Sequence, residues 1–218
     1  SMKKQADSQH PLDAAFHEKL IEYFRIYLLV GGMPEAVLAW IKTHNFNQCS
    51  HIQEDIILTY EDDFSKYKKR VSPDLLRTTL HGICHQPGEK ITFKQISADY
   101  RSSQIREAVR LLTLAGLVIP VIATSGNGIP LDAEANEKNM LDSGLLLSVL
   151  QLEGNLAQHL VELIMTGSPQ DLVNKGGLVE MVAGLELLRN KPCVQRQKMF
   201  YWEKSGNSIA EIDYLDTF

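Results

Sequence analysis

The chain has few of the features that identify a protein class directly. Its cysteines are Cys49, Cys84 and Cys193, and no Cys-x-x-Cys pair occurs, so neither a zinc site nor a disulfide framework is indicated. No apolar run approaches the roughly 18 residues that a membrane-spanning helix needs. These absences predict a cytoplasmic protein in a reducing compartment, with no membrane partner.

Strong charge of one sign is also missing. The 22 Lys and Arg residues stand against 27 Asp and Glu residues, which gives a formal net charge of −5 at pH 7. Any nucleic-acid surface is therefore local. The chain contains no GxxxxGK[ST] phosphate loop, so the sequence predicts no nucleotide site and no cofactor within this chain. An apolar content of 44% is ordinary for a soluble globular protein.

Helical periodicity dominates the first 70 residues. Apolar residues recur at helical spacing over 12–29, and Gly31-Gly32 offers the positive φ that ends a helix. Pro34 suits the first turn of a second helix, and a third is predicted from about Phe46 to Asp63. We interpret YLLVGGMPEAV as a corner between two helices, with a phosphate-binding loop as the alternative.

The third helix ends in TYEDDFSKYKKR, where an acidic cluster precedes a basic run. The acidic residues 61–63 are interpreted as a solvated helix end, and a metal cluster is the alternative. Ser72 is the predicted N-cap of the next helix, ahead of Pro73. His81 and His85 lie four residues apart without an obvious third ligand, so they are interpreted as ordinary helix and turn residues.

Residues 74–116 predict three helices with short breaks, followed by a hairpin that turns at 125–128. This is the order of a winged helix-turn-helix, whose third helix enters the DNA major groove. That helix is predicted to begin at Ser102 or Ser103. The predicted nucleic-acid-binding residues are Lys94 on the preceding helix and Arg101, Gln104, Arg106 and Arg110 on the third helix or at its start. DNA contact and protein docking both stay open as roles for this surface.

The C-terminal residues predict a short strand and a helix with Asp142 at the turn between them, then a helix that carries Glu180. Two strands follow, and the second carries Glu-Ile-Asp. A helix glutamate followed by a strand aspartate resembles the opening of a PD-(D/E)XK nuclease core, in which carboxylates hold a magnesium ion. Glu180 and Asp213 are the catalytic candidates. The following Glu-x-Lys strand of such a core is not found, and plain surface carboxylates are the alternative.

Several stretches occur together in a recognisable order. They are YLLVGGMPEAV, IILTYEDDFSKY, IREAVRLLTLAGLV, NMLDSGLLLSVL, GGLVEMVAGLELL and FYWEKSGNSIAEIDYL. The set resembles the C-terminal region of a large prokaryotic family of AAA-type ATPases, from about Phe16 to Leu215. The resemblance implies that the parent protein has an N-terminal ATPase domain, which would be a partner of this chain. ATP and magnesium would belong to that parent protein.

We therefore expect a mainly α fold with a small β component (α+β). The expected parts are a helical region over 1–70, a winged-helix domain over 71–135 and a partial, truncated restriction-endonuclease-like domain over 136–218. The expected function is that of a non-catalytic C-terminal fragment of an AAA-type ATPase, whose winged helix binds double-stranded DNA or a partner. The alternatives are part of a magnesium-dependent nuclease completed by residues outside this chain, and a regulatory module that docks on the ATPase domain.

Overall fold

A computed structural model describes residues 13–124, 137–152, 155–168, 171, 176–189, 199–204 and 210–215. The helices are α1 Ala14–Val30, α2 Pro34–Thr43, α3 Phe46–Asp63, α4 Pro73–Cys84, α5 Phe93–Ile96, α6 Ser102–Leu114, α7 Ser143–Leu152, α8 Asn155–Thr166 and α9 Gly176–Arg189, with a 3-10 turn at Phe64–Tyr67. The strands are β1 Ile119–Ala123, β2 Glu137–Met140, β3 Met199–Lys204 and β4 Ala210–Leu215. Helix far exceeds strand, which confirms the mainly α class with a small β component.

The strands form one sheet in the order β2-β1-β3-β4. β1 pairs antiparallel with β2, where Val121 lies opposite Lys138, and it pairs parallel with β3, where Val121 lies opposite Met199. β3 and β4 are antiparallel. An isolated bridge also joins Lys90 to Lys138. The sheet therefore connects the centre of the chain with its last strands.

The helices α4, α5 and α6, followed by β1 and β2, occur in the order of a winged helix. The predicted hairpin is wrong in its second strand. β1 pairs with β2, which the prediction placed in the C-terminal domain. The predicted turn at 125–128 lies outside the described residues. The second of the three predicted helices is α5, which is only one turn long because Ser97 already has extended backbone angles and ends it.

The hydrophobic core runs through all three predicted parts. One cluster of buried residues extends from Leu28 in α1, through Leu80 and Ile105, to Leu185 in α9 and Tyr201 in β3. The predicted division into 1–70, 71–135 and 136–218 stays a prediction. In the described residues, these parts share packed side chains, and the boundary at 135/136 falls between the paired strands β1 and β2.

The GGMP segment is the predicted corner between two helices. Gly31 ends α1 with φ 68° and ψ −159°, a combination that is essentially restricted to glycine. The N–H of Gly32 donates to Asp142 Oδ2 at 2.6 Å, and Asp142 Oδ1 accepts the N–H of Gly144 at 3.0 Å. Gln53 Nε2 donates to the carbonyl of Val30 at 2.8 Å. The corner thus holds a carboxylate, which would repel the phosphate of the alternative interpretation.

A pair of glycine substitutions tests how tightly this corner is packed. Gly31 and Gly116 both have positive φ, but an added Cβ at Gly31 would collide with Asp142, whereas none of the surroundings lies within 4 Å of one at Gly116. We expect Gly116→Ala to lower the free energy of unfolding by about 1 kcal/mol. Gly31→Ala should cost about 3 kcal/mol or more, because overlap adds to backbone strain. Urea unfolding monitored by circular dichroism measures both values, and equal costs would contradict this packing.

Candidate nucleic-acid surface and carboxylate cluster

Helix α6 buries one face and exposes the other. Its apolar stripe is buried as the sequence predicted, with Ile105, Ala108 and Leu112 in the core. The exposed residues begin at its N-terminus, where Arg101 precedes the first turn. Polar groups at this end are those that a recognition helix directs at base edges and phosphates.

The five predicted nucleic-acid-binding residues lie on α5, α6 and the residue before α6, but their environments differ. Lys94 and Arg101 are exposed. Gln104 is exposed as well, and its Oε1 accepts the N–H of Arg101 at 3.0 Å, which helps to cap α6. Arg106 is half-buried, with its guanidinium 5.7 Å from the centre of the Phe93 ring. The exposed cations are therefore Lys94 on α5, Arg101 at the start of α6 and Arg110 further along α6.

Arg110 forms a two-pronged ion pair with Glu107. Its Nε and Nη2 atoms donate to the two carboxylate oxygens at 2.7 Å each. These hydrogen bonds, together with the charge of Arg70, lower the pKa of Glu107. The pair is the geometry in which arginine recognises a phosphate, so Glu107 occupies the binding fork of Arg110.

The acidic end of α3 is used within the protein. Glu61 accepts a hydrogen bond from Arg77 Nε at 2.8 Å and lies 3.2 Å from His81 Nε2. Asp63 pairs with Lys66 at 2.5 Å. Within the described part of the chain, no group of three or more His, Cys, Asp or Glu residues is arranged to hold a metal ion. The contacts therefore favour a helix end paired with basic side chains over a metal cluster.

The catalytic candidates Glu180 and Asp213 do converge. They meet at Lys138, whose Nζ lies 2.8 Å from Glu180 Oε1, 2.8 Å from Glu211 Oε1 and 3.1 Å from Asp213 Oδ1. Its ammonium is also 5.3 Å from the centre of the buried Tyr201 ring. Carboxylates from α9 and β4 thus surround a lysine from β2, and we call this group the lysine cluster.

A β-bulge positions the strand side of the lysine cluster. Phe200 pairs with Leu215 and Trp202 pairs with Ile212, so two residues of β4, Asp213 and Tyr214, lie opposite Tyr201. The Tyr214 hydroxyl donates to the backbone carbonyl of Glu180 at 2.9 Å. Burial raises the pKa of Tyr214, which keeps the hydroxyl protonated as a donor. The bulge therefore ties β4 to α9 at the point where the carboxylates meet.

Charge and burial oppose each other in the lysine cluster. Burial would lower the pKa of Lys138, but the hydrogen bonds that it donates to its three carboxylate partners outweigh burial and raise the pKa. Burial raises the pKa of Glu180, while the hydrogen bond from Lys138 opposes that change. The cluster holds three carboxylates and one ammonium, so the single positive charge of Lys138 does not balance the negative charge of the three carboxylates together.

The lysine cluster does not fit a magnesium ion as it is arranged. Its oxygen atoms are of the type that magnesium prefers. The position between the carboxylates is taken by the Lys138 ammonium, however, and the described residues offer no other group suited to a metal. No chemical step follows from a metal at this site.

The sequence predictions missed two members of the cluster. Glu211 lies two residues before Asp213, and alternation along a strand would have placed both on one face. Lys138 was read only as part of a short strand. No local pattern marks its role, because its contact with β4 depends on a sheet order that one sequence does not reveal.

Together these features define a mainly helical protein with a small mixed sheet. The chain belongs to the family described as Domain of unknown function (DUF8612), whose model matches residues 21–156, more than half of the 218 residues. No curated protein and no solved structure matches it. The matched segment contains α6 and Lys138, but not the carboxylates of the lysine cluster. Among the described residues, none of the helices combines the length and apolarity required to cross a membrane.

Replacing Lys138 tests the lysine cluster as a source of stability. Lys138→Met keeps the apolar stem but leaves three carboxylates without their cation. Because these carboxylates are 23%, 36% and 50% exposed and water screens them in part, we expect the free energy of unfolding to fall by about 2 kcal/mol. Lys90→Met is the matched control, because Lys90 also lies over the Tyr201 ring and pairs with Glu203. The Lys90 side chain is 34% exposed, against 6% for Lys138, and its loss should cost less than about 1 kcal/mol.

Chemical denaturation of both variants gives the comparison. Adding Asp213→Asn to Lys138→Met should restore part of the lost stability, since it removes one of the uncompensated charges. Equal costs for the two lysine variants, or no recovery in the double variant, would show that the ion pairs do not stabilise the fold.

The raised pKa of Glu180 predicts a pH dependence of stability. A group whose pKa is higher in the folded state contributes stability that is fully present below its unfolded pKa, near 4.3, and is lost as the pH rises through the folded value. The stability of the wild type relative to Glu180→Gln should therefore fall as the pH rises from about 4 towards neutrality. Glu18→Gln, at an exposed site on α1, is the control. A relative stability that stays constant or rises with pH would contradict the assignment.

Proposed function

We propose that this chain is a non-catalytic module that binds double-stranded DNA through its winged helix. Helix α6 enters the major groove, and Lys94 on α5 contacts a neighbouring phosphate. The observation that carries the proposal is the exposed start of α6, where Arg101 and Gln104 face solvent while the apolar stripe is buried in the core. In the parent protein the module would work beside an ATPase domain, as the resemblance to AAA-type ATPases implies.

The unengaged cations support this proposal. Within the described part of the chain, Lys94 and Arg101 have no ion-pair partner among the carboxylates. Positive side chains without internal partners can neutralise phosphates and release counterions, which supplies most of the affinity in protein–DNA complexes. Ser102 and Ser103 are exposed beside Arg101 and add hydroxyl donors of a type that commonly contacts phosphate.

The lysine cluster supports a non-catalytic role. Lys138 lies between the carboxylates that a nuclease would use, so the carboxylates act in this arrangement as a clamp between β2, β4 and α9. Magnesium-dependent nicking of DNA by this chain, abolished by Asp213→Ala, would contradict the non-catalytic part of the proposal while leaving DNA binding intact.

A second candidate is docking on a protein, in particular on the ATPase domain of the parent protein. It is favoured by Leu114, which is 53% exposed at the end of α6, and by the engagement of Arg110 with Glu107. An apolar side chain beside a neutralised arginine suits a protein surface better than a phosphate backbone. This candidate predicts binding that does not depend steeply on salt.

Two substitutions with opposite expected effects test DNA binding. Arg101→Ala should weaken binding by roughly fivefold or more, as expected for the loss of about 1 kcal/mol from one contact. Glu107→Gln should tighten it by about twofold to fivefold, because it removes repulsion of phosphate and releases Arg110. Fluorescence anisotropy with a labelled duplex at about 50 and 200 mM salt measures both.

Charge-matched controls separate a local surface from net charge. Lys42→Ala on α2 removes a positive charge, and Glu18→Gln on α1 removes a negative charge, both at exposed sites. Lys42→Ala should change the affinity for DNA less than Arg101→Ala does, and Glu18→Gln should change it less than Glu107→Gln does. Equal effects would indicate non-specific attraction to the whole molecule. No saturable binding at either salt concentration would shift the assignment to protein docking.

A further inference from the structure

A short basic segment precedes α4. Residues 66–70 read Lys-Tyr-Lys-Lys-Arg, so four of five positions are cationic in a chain whose formal net charge is −5. We call this segment, Lys66–Arg70, the basic turn. Lys68, Lys69 and Arg70 are exposed. The sequence alone suggests a solvated helix end, but the structure adds where the turn lies and how it is held.

Buried side chains hold the basic turn on both sides. Phe64 precedes the basic turn and is 2% exposed, and Val71 follows it and is 6% exposed. Both side chains belong to the main core. Inside the turn, the N–H of Arg70 donates to the carbonyl of Tyr67 at 2.8 Å, and the N–H of Val71 donates to the same carbonyl at 3.2 Å. The backbone is therefore fixed, while the long basic side chains extend from it into solvent.

The charges of the basic turn are only partly compensated inside the protein. Lys66 pairs with Asp63. Within the described residues, Lys68 and Lys69 form no ion pair. This leaves a small region with unneutralised positive charge, which costs free energy through self-repulsion unless an anion is bound.

The basic turn lies beside the proposed recognition helix. It leads directly into α4, which packs against both the 3-10 turn and α6. Arg70 is close enough to Glu107 on α6 for its charge to contribute, after the hydrogen bonds of Arg110, to the lowered pKa of that carboxylate. The packing of α4 therefore brings the basic turn and α6 to neighbouring parts of the fold.

We propose that the basic turn is a second DNA-contacting surface, which binds the phosphate backbone next to the groove that α6 enters. The proposal rests on the proposed function, because it takes α6 as the element inside the groove. The occupant is double-stranded DNA, since the turn adjoins that helix and its lysines match phosphates as simple charges. Contacts of this kind fix the position of a protein on a duplex without reading its sequence.

The test compares salt dependence in the full chain. Each phosphate contact contributes about 0.9 to the slope of log affinity against log salt, so Lys68→Ala/Lys69→Ala should reduce that slope by about 2. The ratio of wild-type to variant affinity should then shrink by roughly tenfold between about 50 and 200 mM salt. Two labelled duplexes of unrelated sequence should give the same change. Lys19→Ala/Lys42→Ala removes the same charge from α1 and α2 and should leave the slope almost unchanged.

The outcomes separate this inference from the proposed function. A reduced slope in Lys68→Ala/Lys69→Ala, absent from the control pair, supports the basic turn as a phosphate-binding surface. If that variant behaves like the control while Arg101→Ala still weakens binding, the inference is overturned and DNA binding through α6 stands. If the wild type binds neither duplex, both are overturned. Thermal unfolding of each variant confirms that the comparison is made between folded proteins.

Discussion

The ammonium of Lys138 holds together parts of the chain that are far apart in sequence. A lysine side chain that is only 6% exposed stays charged because three carboxylates from α9 and β4 accept its hydrogen bonds. Two residues further on, Met140 is fully buried and would meet any side chain added at Gly184 of α9. Asp142 follows, binding the corner at Gly32 and the start of α7. Alternate residues of one short segment thus supply an ionic, an apolar and a hydrogen-bonded anchor.

The same segment joins β1 and the C-terminal strands in one sheet. The backbone of β2 pairs with β1 and is bridged to Lys90, while the side chain of Lys138 reaches β4. β1 in turn pairs with β3, so both edges of β1 are paired. The lysine cluster joins the two edge strands of this sheet, β2 and β4, to α9. β1 and β2 are therefore continuous with β3 and β4 and do not form a separate two-stranded unit.

Local patterns predicted much of this fold, whereas long-range pairing was beyond them. The bounds of α3, the Ser72 cap, the corner at Gly31 and the buried stripe of α6 follow from periodicity and from the preferences of single residues. Sequence pattern indicates Glu180 and Asp213 but not Lys138, because the role of Lys138 depends on β2 and β4 belonging to one sheet. The wing was assigned to the wrong second strand for the same reason. Likewise, the spacing of Arg106 and Arg110 indicates an exposed face, yet it cannot reveal that Phe93 and Glu107 already engage them.

The contacts that Arg106 and Arg110 already make within the protein limit the kind of DNA binding that we propose for α6. A phosphate or a guanine that contacts Arg110 must first displace Glu107 from a two-pronged ion pair, and that exchange returns little net free energy. Arg101, Lys68 and Lys69 face no such competition within the described residues. Affinity would therefore come mainly from phosphate contacts at the start of α6 and at the basic turn, and base recognition would contribute less. If the proposed function holds, a surface of this composition favours binding that tolerates different DNA sequences, and its local positive charge would allow such binding in a chain of net negative charge.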